Sequence, residues 1–130
     1  MIHVAPPRHG PGAYMTWLAR QPCLCCGVRG VVLHHLAAWG LPRKLRNPVR
    51  DYTVAPICPR HHDDTGGRHA AHRMAQEAWL RHWGCPDPDA LLLGYYRAYS
   101  AAHGLCIPAG LAVREVAEWL RDGEGAGAPT

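Results

Sequence analysis

Residues 57–64 read Ile57-Cys58-Pro59-Arg60-His61-His62-Asp63-Asp64, which crowds a cysteine, two histidines and two acids into one short segment. Thiolate and imidazole pack poorly beside each other unless something holds them, and the holder that suits both is a metal ion. Cys58-x-x-His61, at the start of a helix-like segment, is half of such a holder. The other half lies upstream in Cys23-x-x-Cys26-Gly27, where the glycine permits the tight turn that aims backbone amides at sulfur. The two pairs are separated by 31 residues and together supply the four ligands of a closed, tetrahedral structural zinc: Cys23, Cys26, Cys58 and His61. Cys25 lies in the same knuckle, so the choice of its neighbours rests on spacing alone. Cys85 and Cys106 read as packed thiols rather than ligands.

Working outward, the pattern predicts an α+β fold. One or two helical turns are expected over 13–20, and short strands over 31–36 and 52–57, where branched residues recur. Pro59 opens a helical segment. A helix over 68–84 follows from the near-helical spacing of His72, Ala75, Trp79 and Trp83, with Gly84 as its stop. Asp89 is expected to cap a helix ending near His103, and a last helix is expected over about 109–122. Residues 1–12, with their prolines and glycines, read as a flexible arm, 13–84 as the zinc-bearing domain, 85–122 as a helical extension and 123–130 as a disordered tail.

The chain has 130 residues, enough for one core. No apolar run approaches the roughly 18 residues needed to cross a bilayer, and the start lacks a basic segment followed by an apolar one, so a cytoplasmic protein with no membrane partner is expected. Three of the six cysteines fall within 23–26, where adjacent thiols cannot easily bridge one another, which favours metal binding in a reducing compartment over disulfides. Residues 20–82 hold ten Lys or Arg against four acids, a balance of +6, whereas 83–130 hold three basic and six acidic residues, or −3. A polyanion is a natural partner for a basic segment around a metal site.

In their order, Pro22 to Gly27, Leu33-His34-His35-Leu36, Gly40 and Lys44, Asp51 to Asp63, and His72 followed twelve residues later by Gly84, the chain resembles the HNH, or His-Me finger, endonucleases. Its nearest likeness is to the phage Ref-like, recombinase-dependent branch. The resemblance covers roughly 20–84 and implies a small zinc-braced ββα-metal finger with additional C-terminal helices. It implies a phage or prophage hydrolase that cuts phosphodiester bonds in DNA, with a recombinase filament as a further partner and no small-molecule cofactor. Carried over by position, the resemblance makes His35 the general base, His34 and His62 ligands of a catalytic Mg²⁺ or other divalent ion, and His72 a further ligand or a phosphate-contacting residue, a role for which His69 competes. Arg43, Lys44 and Arg46 would hold the DNA backbone. The position of the family's central Asn is Thr53 here, with Asp51 close enough to order the loop. Neighbours on a regular strand point to opposite faces, so His34 and His35 share one site only where the strand ends or bends. A non-catalytic zinc finger that binds nucleic acid, or a phage assembly module, would need the cysteine set but nothing of His35 or His62.

Overall fold

The structure, a computed structural model, describes residues 12–43, 45–62 and 70–126. It begins with α1, Ala13–Leu18, which is too short to stand alone and is held by Tyr14 and Leu18, four residues apart and both buried. The cysteine knuckle follows and leads into β1, Val32–His35. A long loop and a 3-10 turn, Arg50–Tyr52, then deliver the chain to β2, Val54–Ile57, and the single-turn helix α2, Pro59–His62. A second 3-10 turn, Ala71–Arg73, precedes α3, Gln76–His82, and the chain closes with α4, Pro88–Ala102, and α5, Val113–Ala126.

The strands pair antiparallel, with His34 opposite Ala55 and His35 opposite Val54. β2 is buried along its whole length. Besides its pairing with β1 it is bonded to the knuckle, because Leu24 N–H donates to Pro56 O at 2.9 Å. Two strands alone are marginal in water, and here the helices complete the core. One buried cluster runs from Tyr14 and Leu18 through Leu36, Val54, Ile57 and Trp79 to Tyr96 and Leu120, so α4 and α5 share a core with the sheet. The fold is α+β. Among the described residues no helix is long and apolar enough to cross a membrane.

Several expected boundaries move, each for a local reason. The second strand starts at Val54 because Tyr52 and Thr53 close the 3-10 turn, their N–H groups donating to Val49 O at 2.8 Å and Arg50 O at 3.4 Å. Over the described part of the helix expected at 68–84, the chain forms two pieces, with Met74 and Ala75 extended between them; no glycine or proline marks that break. The helix expected to be capped by Asp89 is capped by Asp87, whose carboxylate accepts from Asp89 N–H at 3.0 Å, with Pro88 in the first turn. The last helix starts at Val113, after the left-handed Gly110 (φ 83°), and Glu115 accepts the Ala112 N–H at 2.8 Å. It also runs to Ala126, so residues 123–126 are helical rather than part of a disordered tail. Gly123, a residue that costs a helix roughly 1 kcal/mol, is buried there. Residues 127–130 and the arm up to residue 11 lie outside the described residues. So do Lys44 and His69. Cys106, expected to be packed, is exposed.

Candidate metal centres

Cys58 starts α2, its carbonyl accepting from His61 N–H at 3.0 Å and His62 N–H at 3.1 Å. Successive residues of a helix project about 100° apart, so the adjacent His61 and His62 serve two different clusters.

His61 turns to the cysteines. Its Nδ1 lies 3.2 Å from Cys58 Sγ, which is 3.8 Å from Cys26 Sγ. The ligand atoms of Cys23, Cys26, Cys58 and His61 all lie within 4.8 Å of one another. A tetrahedral zinc with Zn–S bonds of about 2.3 Å separates its sulfurs by about 3.8 Å, whereas a disulfide would need about 2.0 Å. The set can hold a structural metal such as zinc. Gly27 gives the knuckle its turn from a left-handed φ of 79°, and its N–H donates to Cys23 O at 2.9 Å.

The knuckle also decides which sulfurs ionise. Burial pushes the Cys23 thiol up, but the backbone N–H groups of Cys58, Cys26 and Cys25 outweigh it and bring Cys23 down to about 7. The Cys25 N–H donates to that sulfur at 3.3 Å. Cys25 itself is pushed up by burial and by the adjacent Cys23, and it stands outside the ligand set. Burial also raises Cys58, against the opposing pull of the His61 backbone.

His62 turns the other way, to His34 of β1 and His72 of the second 3-10 turn. Their ligand nitrogens also lie within 4.8 Å of one another. The ring centroids of His62 and His72 are 4.2 Å apart, and those of His34 and His62 5.2 Å. His34 is 5% exposed and packs against Trp79 at 5.8 Å between ring centroids. Burial first, then His62, Arg43, His72 and His35, push its pKa down to about 3, so it is a neutral imidazole, the form that ligates metal. A cavity of about 170 Å³ is lined by Leu33, His34, His35, Arg43, His62 and His72. Both neighbouring histidines therefore reach one cavity, and they do so where the strand ends, His35 being the last residue of β1.

Of the basic loop residues, Arg43 lines the cavity, whereas Arg46 is exposed and does not. Among the described residues, Asp51 makes no bond that orders the loop. It is exposed and lies 3.9 Å from the Arg50 guanidinium. That work falls to Asn47, which is buried, donates from Nδ2 to Pro42 O at 3.0 Å and Thr53 Oγ1 at 3.2 Å, and accepts from Val49 N–H at 2.9 Å. Sequence reasoning missed it, although Asn-Pro at 47–48 is a turn signal that could have pointed there. It also missed Gln76, whose amide accepts from Ala37 N–H and donates to Ala37 O, both at 2.8 Å.

Against known proteins, the chain is 35% identical over 51 residues to the uncharacterized protein YdfU of Escherichia coli (strain K12). That stretch is 39% of this chain and 14% of the relative, so the chain spans far less than the relative's length. No solved structure matches. Residues 6–83 match the family described as "Protein of unknown function (DUF968)", a segment that takes in both ligand clusters, the basic loop and α3 and ends before α4. Because that segment is more than half of the chain, the protein belongs to the DUF968 family.

Proposed function

We propose that the protein is a metal-dependent DNA endonuclease of the HNH, or His-Me finger, type, with β1, β2 and α2 as its ββα-metal unit. One observation carries this reading: His34, His62 and His72 converge on a cavity that His35 and Arg43 also line, beside a separate four-ligand cysteine site. A purely structural finger needs only the second cluster.

Three imidazole nitrogens fit a divalent transition-metal ion better than Mg²⁺, which prefers oxygen ligands. When bound, such an ion supplies positive charge for the phosphate and the departing 3′ oxygen. The residues do the rest. His34, held between β1 and Trp79, is kept neutral by burial and fixes one side of the site. His62 is fixed by the α2 turn, whose other histidine belongs to the cysteine cluster. Arg43 holds a phosphate of the backbone. His35, outside the ligand trio, accepts the proton of the attacking water as the new P–O bond forms and the P–O3′ bond breaks.

Supercoiled plasmid incubated with zinc-loaded protein tests this directly. Nicked or linear product is expected with Mn²⁺ or Ni²⁺ at lower concentrations than with Mg²⁺, and none with a chelator. No cleavage of any DNA form with any of these ions would leave a non-catalytic zinc finger as the better reading.

A further inference from the structure

Among the described residues, the non-glycine residues with left-handed backbone are Trp39 (φ 55°) and Arg46 (φ 63°), and both lie in the loop between β1 and β2. Side chains resist that conformation, and it persists where the surroundings over-determine it. Here they do. On the β1 side, Gln76 of α3 grips both backbone groups of Ala37, Ala38 bridges Leu41, and the Trp39 indole N–H donates to Asp89 of α4 at 2.6 Å. On the β2 side, Asn47 ties the chain to Pro42, Val49 and Thr53.

Between these two fixed stems stands Leu45, 77% exposed, the most exposed large apolar side chain among the described residues. Arg43 and Arg46 flank it, both exposed, and Arg43 lines the histidine cavity. A lone exposed leucine is ordinary. One carried between arginines on a braced loop, two residues from the arginine that lines the histidine cavity, matches the chemistry of a stacked duplex, which offers phosphates to guanidinium groups and an apolar gap between bases to a wedge.

Resting on the nuclease reading, we propose that Leu45 is such a wedge. It enters a base step of duplex DNA and unstacks it beside the histidine cavity, while Arg43 and Arg46 hold the flanking phosphates. Leu45 is a positioning residue: it makes and breaks no bond, but opens the step so that the phosphate can seat among the histidines. The substrate class that follows is duplex DNA, with steps that open easily cut fastest.

The test compares the zinc-loaded parent with Leu45→Ala and Leu45→Met, neither of which disturbs the core because the side chain is exposed. Duplexes carrying 2-aminopurine at successive positions report unstacking, anisotropy reports binding, and Mn²⁺-dependent cleavage is followed on a paired duplex and on one with a mismatch. Parent and Leu45→Met are expected to raise 2-aminopurine fluorescence severalfold. Leu45→Ala should bind within about threefold of the parent yet leave fluorescence flat, and should cut the paired duplex roughly tenfold more slowly, with the rate restored by the mismatch. If Leu45→Ala unstacks and cuts like the parent, or loses the same factor on paired and mismatched DNA, the wedge is wrong and the nuclease reading stands. If the parent neither binds nor cuts any DNA, the nuclease reading fails and takes the wedge with it.

Discussion

A histidine ligates metal as the neutral imidazole and a cysteine as the thiolate, and burial, which disfavours charge, acts oppositely on the two. At His34 burial favours the ligating form, and the neighbouring His62, Arg43, His72 and His35 push the same way. At Cys23 it works against that form, and the backbone N–H groups of Cys58, Cys26 and Cys25 reverse it. Cys25, next to Cys26 and two residues from Cys23, receives no such help and is raised by burial and by Cys23. Spacing made Cys23, Cys26, Cys58 and His61 legible as a set, but not which sulfur of the knuckle turns away, since that depends on where the N–H groups point. The expected outcome is that Cys25→Ser keeps its zinc and melts within a few degrees of the parent, whereas Cys58→Ser loses both zinc and most of its stability. Elemental analysis and thermal melts decide it, and retained zinc in Cys58→Ser would refute the ligand set.

Short elements here acquire their geometry from what grips them. α2 is one turn, and its adjacent histidines feed two clusters because a helix advances about 100° per residue. Periodicity cannot show that division, although the Cys-x-x-His-His sequence contains it. The strands were legible from their branched residues, and the start of β2 was not, because it is set by the 3-10 turn that Tyr52 and Thr53 close. The break before α3 was equally hidden, since Met74 and Ala75 carry no turn signal. Asn47→Asp keeps the acceptor for Val49 N–H but loses the donors to Pro42 O and Thr53 Oγ1. It should cost about 1–3 kcal/mol in chemical denaturation. Because the same loop carries Arg43, it should also weaken DNA binding, and a variant as stable and as tight as the parent would show that the loop is ordered by other means.

At the scale of the whole molecule, a tyrosine cluster joins α1 and α4 to the 3-10 turn before β2. Tyr14 of α1 stacks on Tyr52 at 5.1 Å between ring centroids and meets Tyr99 of α4 at 5.2 Å. Tyr96 of α4 donates its hydroxyl to Tyr52 O at 2.6 Å. The composition gave no sign of this cluster, because its members are spread from α1 to α4 and only the fold assembles them. Burial pushes the Tyr96 phenol well up from its ordinary value, and Tyr99 up to about 12. The folded protein therefore keeps these protons above pH 10, where the unfolded chain releases them. Their contribution is fully present below about pH 10 and declines as pH rises beyond it. Tyr96→Phe should be less stable than the parent by about 1–2 kcal/mol at neutral pH, with the gap narrowing above pH 10; a gap that widens there would contradict the assignment. The core these tyrosines complete holds β1 in place, and β1 ends in the residue on which the proposed chemistry turns. The most direct measurement is the rate of Mn²⁺-dependent plasmid cleavage by zinc-loaded His35→Ala beside the parent, with DNA affinity and zinc content measured on the same samples. A loss of at least about 10²-fold in rate, with affinity and zinc unchanged, is the predicted result; full activity in His35→Ala would contradict the account.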